Sequence, residues 1–207
     1  MASRNEVKIY AEGVHYHVYN RGVNGMTIFQ DEEDFSVFLN LLKRHLSPEP
    51  KLDKKKRSYI WLTKDIELEA FCLMGNHFHL LFYQNSQNGL PRLLQAIIPT
   101  YVGYFNKKYK RYGPLLQGVY KASLIYTDSY IEHITRYIHL NPRLYRTYEW
   151  SSYACYVSNK RFVWLHPERI TSIFKDQNEY RDFVADHEDF KLMLDEIKHE
   201  LADHKTD

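Results

Sequence analysis

Two β-type runs follow each other along the chain with only two residues between them. Ile66–Met74 and His77–Tyr83 are rich in aliphatic and aromatic residues, and Gly75 and Asn76 between them suit a tight hairpin turn. Strands joined by so short a connection pair antiparallel, since a parallel pair needs a long crossover. The sequence therefore predicts an antiparallel sheet built around this hairpin.

Further elements are predicted on both sides of the hairpin. The apolar pattern indicates a strand at 14–19, a helix at 31–46, a polar connector at 48–58, a helix at 88–113 kinked at Pro99, an extended segment at 115–126, a helix at 127–142 capped by Thr127 or Asp128, and short helices after Trp150. This order predicts an α+β, ferredoxin-like antiparallel sheet with helices packed on one face. Residues 1–148 are expected to form this domain and residues 149–207 a C-terminal helical extension with an acidic tail.

Composition excludes several classes of protein. The chain of 207 residues is 44% apolar and 26% charged, which favours a globular fold over disorder. No apolar run reaches the ~18 residues that cross a bilayer, and the N-terminus carries no hydrophobic signal segment. Cys72 and Cys155 have no CxxC spacing, so neither suggests zinc. We therefore expect a cytoplasmic protein with free thiols.

Charge is distributed unevenly. Residues 1–175 carry 24 Lys and Arg against 15 Asp and Glu, whereas residues 176–207 carry four against eleven. The basic body suits attraction to polyanions, and the acidic tail is typical of a solvated helix face. Within the body, residues 101–121 interleave aromatic and basic side chains, a combination that can stack bases and meet phosphates. The same composition also fits buried rings beside solvated lysines.

The second strand of the hairpin begins with two histidines. His77 and His79 project to one face of the strand, while Phe78 and Leu80 project to the other. The imidazoles lie ~6–7 Å apart along the chain, from the rise per residue of a strand. Two neutral imidazoles can converge on one divalent ion, but two ligands seldom suffice. The pair also fits ordinary polar surface positions, so a third ligand has to be sought elsewhere.

The helix at 127–142 offers that third ligand. His133, Tyr137 and Asn141 are spaced i, i+4 and i+8 and so follow one helix face. If this face meets the histidine pair, Asn141 or His133 would complete a metal site with Tyr137 beside it. Spacing alone equally fits a tyrosine that packs its ring and exposes its hydroxyl.

Several segments in order resemble those of one family. They are HYHVYNRG (15–22), FCLMGNHFHLL (71–81), YFNKKYKRYGPLLQGVYKA (104–122), YIHLNP (137–142) and WSSYACY (150–156). Together they resemble the single-tyrosine HUH transposases, in particular the transposase-like proteins of repeated extragenic palindromes, the REP-associated tyrosine transposases. Gly75 stands where relatives usually have proline, and residues 143–150 replace a small, Gly-containing segment.

The resemblance implies a metal-dependent endonuclease that cleaves and rejoins single-stranded DNA at palindromic hairpins. His77, His79 and Asn141 match the family's ligands for Mg²⁺ or Mn²⁺, and Tyr137 matches the nucleophile that forms a 5′-phosphotyrosine intermediate. A cation near the phenol is needed, because an ordinary tyrosine of pKa ~10 is a poor nucleophile at neutral pH.

The resemblance also favours a DNA-binding role for the basic and aromatic residues. The predicted contacts are Arg21, Tyr104, Asn106, Lys107, Lys108, Lys110, Arg111 and Lys121. The expected partner is single-stranded or hairpin DNA, with no membrane, and the expected place is the cytoplasm at the nucleoid. The sequence leaves both a monomer and a homodimer open.

Two alternative functions follow from the same residues. A retired transposase would hold hairpins without cutting them, although the complete set of His77, His79, Tyr137 and Asn141 argues against it. A cupin-like metalloenzyme would need a glutamate soon after the histidine pair, and no glutamate occurs between Tyr83 and Glu132. The second alternative is therefore poor.

Overall fold

A four-stranded antiparallel sheet forms the centre of the computed structural model, which describes residues 10–125 and 128–186. The strands are β1 (Val14–Arg21), β2 (Ile66–Met74), β3 (His77–Gln84) and β4 (Lys121–Ile125), in the order β2-β3-β1-β4. Each strand runs antiparallel to its neighbours. The predicted α+β, ferredoxin-like sheet is confirmed.

The helices keep the order expected from the sequence. They are α1 (Glu32–Leu46), α2 (Gly89–Lys108), α3 (Asp128–Leu140), α4 (Tyr153–Val157), α5 (Glu168–Thr171) and α6 (Gln177–Ala185), with a 3-10 turn at Val23–Gly25. Asp31 caps α1, since its carboxylate accepts a hydrogen bond from the Asp34 amide. The helix predicted to reach residue 113 ends at Lys108, because Lys110 and Gly113 have positive φ angles that interrupt it.

Helices cover both faces of the sheet, whereas the sequence predicted helices on one face only. On one face α1 and α2 pack against the apolar residues of β3, with the rings of Phe38 and Phe78 5.1 Å apart. On the opposite face α3 crosses β2, β3 and β4. Burial of Ile131, Ile134 and Ile138 along α3 provides the apolar contact that holds it there. The histidines of β3 therefore lie between the sheet and α3.

The residues after α3 cover the outer edge of β2. Short bridges join Cys72 to Ser151 and Leu68 to Leu165, and the Ser152 amide donates to the Phe71 carbonyl at 2.9 Å. The apolar residues of this extension belong to the same buried cluster as those of the sheet. A domain boundary at residue 148 stays a prediction.

Two other expectations have outcomes in the structure, and two lie outside it. Cys72 and Cys155 are buried free thiols. In the described ranges, no helix is long and apolar enough to span a bilayer. Thr127, predicted as a helix cap, and the tail after residue 186 lie outside the described residues.

Candidate active site

The register of the sheet brings the polar residues of β1 beside the histidines of β3. Tyr19 lies opposite His79, and Arg21 lies opposite His77. Residues opposite each other in an antiparallel pair project to the same face. Because alternate residues share a face, His17 of β1 also lies on this side, below α3.

Helix α3 places Tyr137 and Asn141 over this histidine face. The Tyr137 ring lies edge-on to the His79 ring, with centroids 5.2 Å apart, and Asn141 Oδ1 lies 3.0 Å from His77 Nε2. Asn141 Nδ2 donates to the Tyr137 carbonyl at 3.0 Å, which fixes the orientation of the amide. The structure thus brings together all four residues that the sequence proposed for chemistry.

Both ring nitrogens of His77 face amide oxygens. Nδ1 lies 2.7 Å from Asn76 Oδ1, and Nε2 lies 3.0 Å from Asn141 Oδ1. The Asn76 amide is also oriented, because its Nδ2 donates to the Gly25 carbonyl at 3.3 Å. The two amide oxygens together hold the ring of His77 in one orientation.

This arrangement fits a hard divalent cation. An octahedral Mg²⁺ with ligand bonds of ~2.1 Å has neighbouring ligand atoms about 3 Å apart, which is the separation of His77 Nε2 and Asn141 Oδ1. No group of three His, Cys, Asp or Glu residues within the described chain has metal-binding geometry. The donor set on offer is therefore two imidazoles and one amide oxygen.

His17 is a member of the site that the sequence reasoning missed. Its Nε2 lies 2.9 Å from His79 Nδ1, and the two rings stack with centroids 5.1 Å apart. Burial lowers the pKa of His17 to about 3, and burial followed by the proximity of His17 and His77 lowers the pKa of His79 well below its ordinary value. Both rings are neutral at pH 7. The alternation of His15 and His17 in β1 was the signal that could have revealed this.

Tyr137 is a protonated phenol in this environment. Burial raises its pKa, and a hydrogen bond with Asn141 acts in the opposite direction with a smaller effect. Neutral imidazoles surround the ring, because His17 and His79 both lie edge-on to it. Ionisation of the phenol therefore requires an additional positive charge nearby.

Two of the cations predicted to bind DNA lie on the site face. Arg21 is exposed beside His77, and its Nε donates to Gln117 Oε1. Lys121 lies opposite Tyr19 in β4 and so projects to the same face. Gly22 follows Arg21 in a turn that admits no side chain, because a Cβ there would lie 2.0 Å from the Met26 carbonyl oxygen.

The other predicted DNA contacts lie elsewhere. Tyr104 donates to Asp34 at 3.0 Å, and the Lys108 ammonium lies within 2.9 Å of Asp31, Glu33 and Asp34, on the side of the sheet opposite α3. Tyr104 and Lys108 thus already have partners within the protein. Four members of the predicted set remain. Arg111, in the turn after α2, donates to Asn106 Oδ1 in the last turn of α2 at 3.0 Å, and Lys107 and Lys110 are exposed.

His133, the alternative third ligand, faces away from the site. Its Nδ1 lies 3.0 Å from Arg136 Nη2, and its ring packs against Phe183 of α6. His133 lies eight residues before Asn141, about 12 Å along the helix axis at a rise of ~1.5 Å per residue, so the two side chains cannot both reach His77. Asn141, on the other side of Tyr137, is the one that reaches His77.

The chain is similar to a family model and to solved structures. A family model described as IS200-like transposase matches residues 50–141. A solved structure described as the REP associates tyrosine transposase bound to a REP hairpin has a TM-score of 0.54 and 12% sequence identity, covering 77% of this chain and 89% of that chain. No curated protein sequence matches the chain. The resemblance to transposases that the sequence predicted is confirmed by the family model over residues 50–141 and, for the fold, by the solved structure.

Proposed function

We propose that this chain, whose residues 50–141 match a family model described as IS200-like transposase, is a metal-dependent endonuclease that cleaves and rejoins single-stranded DNA at hairpins. The observation that carries the proposal is the meeting of Tyr137, His79 and Asn141 with His77 on one face of the sheet. A nucleophile and three candidate ligands converge there from two elements that are distant in sequence.

His77, His79 and Asn141 would hold the cation, either Mg²⁺ or Mn²⁺. Bound there, such an ion polarises a phosphodiester and favours the phenolate of Tyr137. The protein contributes the remaining features. It orients His77 through Asn76 and His79 through His17, and it keeps both imidazoles in the site face. Asn141, the residue that follows α3, is held next to Tyr137 because its Nδ2 donates to the Tyr137 carbonyl.

Cleavage would proceed by attack of the Tyr137 oxygen on phosphorus. The new P–O bond forms as the bond from phosphorus to the 3′ oxygen breaks, and the phenolic proton is lost while the 3′ oxygen takes up a proton. The products are a 5′-phosphotyrosine and a free 3′-hydroxyl. Because the covalent link conserves the phosphodiester, the 3′-hydroxyl of another strand can reverse the step and join to it.

DNA would reach the site along the exposed cations. Arg21 stands beside His77, and Lys121 lies on the same face, so their charges can meet the phosphates that flank the scissile bond. Lys107, near the end of α2, and Lys110, just after it, are also exposed and are proposed as further contacts away from the site face. Hairpin DNA is the proposed partner, with a homodimer as the proposed assembly.

A hairpin-binding protein that no longer cuts is the second candidate. The raised pKa of Tyr137 favours it, because a buried neutral phenol attacks phosphorus slowly in the absence of a cation. The two functions differ in one observable product, the covalent protein–DNA adduct.

The test uses labelled single-stranded hairpins from the DNA that flanks the protein's own gene. The chain is incubated with each hairpin and Mn²⁺ or EDTA, and label that migrates with protein is sought on a denaturing gel. An adduct that needs Mn²⁺ and is lost in Tyr137→Phe is the expected result. Tyr109→Phe is the matched control, since that hydroxyl bonds Asp34 on the other side of the sheet.

The outcomes separate the candidates. Hairpin retarded on a native gel without any adduct would favour the binding protein. An adduct that persists in Tyr137→Phe would refute Tyr137 as the nucleophile.

A further inference from the structure

His17 is a buried residue that contacts His79, one of the candidate metal ligands. It is 3% exposed, and its Nε2 lies 2.9 Å from Nδ1 of His79, which is 5% exposed. Sheet pairing sets His17 opposite Leu81, so it meets His79 along the diagonal between neighbouring strands. The contact is part of the sheet and does not depend on a loop.

The ring of His17 has little freedom to turn away. It stacks on His79 at 5.1 Å, lies 5.2 Å from the ring of Tyr19 and meets Tyr137 edge-on at 5.9 Å. Aromatic neighbours on these sides fix the plane of the imidazole. What remains undetermined by the packing is the position of the proton between the two histidines.

That proton decides whether His79 can bind a cation. A hydrogen bond between two neutral imidazoles contains one proton, carried by either partner. If His79 Nδ1 carries it, His79 Nε2 is unprotonated and available to a metal. If His17 Nε2 carries it, the proton of His79 moves to Nε2 and blocks that nitrogen. The hydrogen-bond partner of a ligating histidine commonly sets its tautomer in this way.

We propose that His17 is a positioning residue that accepts the Nδ1 proton of His79 and so presents His79 Nε2 to the divalent cation. The role of the cation rests on the proposed function. The tautomer of His79 does not, because it is a property of the protein before any metal binds. His17 touches neither the cation nor DNA in this role.

The tautomer is measured first, in the metal-free wild-type chain. Long-range ¹H–¹⁵N correlation spectra distinguish the two protonated forms of each imidazole, and the signals of His79 are assigned with His79→Gln. The expected result is His79 protonated at Nδ1. His79 protonated at Nε2 would overturn the proposal, whatever the protein does with metal or DNA.

Metal affinity is measured next, by Mn²⁺ titration with EPR detection of the free ion. His17→Phe keeps an aromatic ring but removes the acceptor, and we expect Mn²⁺ affinity to fall about 10–100-fold. His17→Gln offers an amide oxygen in the same direction and is expected to stay within a few-fold of wild type. Near-UV circular dichroism establishes that each variant is folded.

Failure of this proposal and failure of the proposed function are distinguishable. Wild-type affinity in a folded His17→Phe variant would overturn the role of His17 while leaving the metal site in place. A wild-type chain that binds no Mn²⁺ would overturn the metal-dependent function, and the tautomer of His79 then decides the present proposal alone. If His17→Phe does not fold, the wild-type spectrum and His17→Gln still decide it.

Discussion

Helix α3 has two histidine contacts with opposite characters. On the sheet side, its Tyr137 meets the His17–His79 pair, in which the protein engages one nitrogen of His79. On the outer side, His139 uses both nitrogens, Nδ1 with the Tyr180 hydroxyl at 2.7 Å and Nε2 with Ser152 Oγ at 2.8 Å. Among the described residues, His79 therefore has one ring nitrogen without a hydrogen bond, whereas both ring nitrogens of His139 are hydrogen bonded.

Burial does not separate these two groups. Desolvation lowers the pKa of both His17 and His139 to about 3, and both are almost fully buried. What separates them is the identity of the partners. His139 joins α3 to α4 and α6 through hydroxyl groups, which is a structural contact. His79 Nε2 makes no hydrogen bond to the described residues. Unfilled bonding capacity, more than burial or pKa, separates the two groups.

The largest expected effect is on stability, from His139→Leu. The change removes a partner from the buried Tyr180 hydroxyl and from Ser152 Oγ, and each loss costs about 1–3 kcal/mol. Urea unfolding followed by circular dichroism measures the difference. His166→Leu, at a histidine whose side chain is 40% exposed, is the control and is expected to unfold nearly like wild type. Equal midpoints for the two variants would contradict the structural role of His139.

The next effect is on the pH dependence of stability. For His139 the folded pKa of about 3 lies below the unfolded value near 6.5, so in this range the unfolded chain binds the extra proton. Stability is therefore complete above pH 6.5 and falls toward pH 3, by up to about 1.4 kcal/mol per pH unit for one histidine. Urea midpoints between pH 4 and 7 measure the slope.

The comparison is sharpened by the variants. His139→Leu and His17→Gln should each reduce the slope by the contribution of one histidine, because the two are equally desolvated. If only one of the two variants reduces the slope of stability against pH, the two histidines would differ in desolvation, contrary to the comparison above.

The smallest effect extends the comparison to cations. The Lys108 ammonium forms ion pairs with three carboxylates, whereas Arg21 is exposed and donates to one side-chain amide. Arg21→Gln should weaken hairpin binding several-fold and reduce the slope of log affinity against log salt by about 0.9 for one lost phosphate contact. Lys108→Gln should leave both unchanged. Fluorescence anisotropy of a labelled hairpin at several salt concentrations tests this, and equal losses would contradict it.

Much of the fold could be read from local signals in the sequence. The Gly75-Asn76 turn, the acidic cap of α1 and the isoleucine stripe of α3 each act over a few residues, and each element appears where it was predicted. The end of α2 was misplaced because positive φ angles at Lys110 and Gly113 leave no clear pattern in the sequence. Conformation at single residues overrode helical periodicity there.

The site was predicted in part. The alternation of the strand placed His77 and His79 on one face, and the family resemblance brought Tyr137 and Asn141 to them. The contact of His17 with His79 depends on the register between β1 and β3, which sequence does not reveal. The sequence does not reveal long-range contacts, so Lys108 and Tyr104 were predicted to bind DNA. In the structure both contact Asp34 of α1, which is about 70 residues earlier in the sequence.

The cover over the outer edge of β2 has a consequence for synthesis of the chain. That edge is paired by residues near 151 and 165, some 80 to 100 positions later in the sequence than Leu68 and Cys72. A ribosome adds residues at about 5–20 per second, so a growing chain displays an unpaired strand edge for several seconds before its partner emerges. Unpaired edges are templates for aggregation. Truncation at residue 148 would make that temporary exposure permanent.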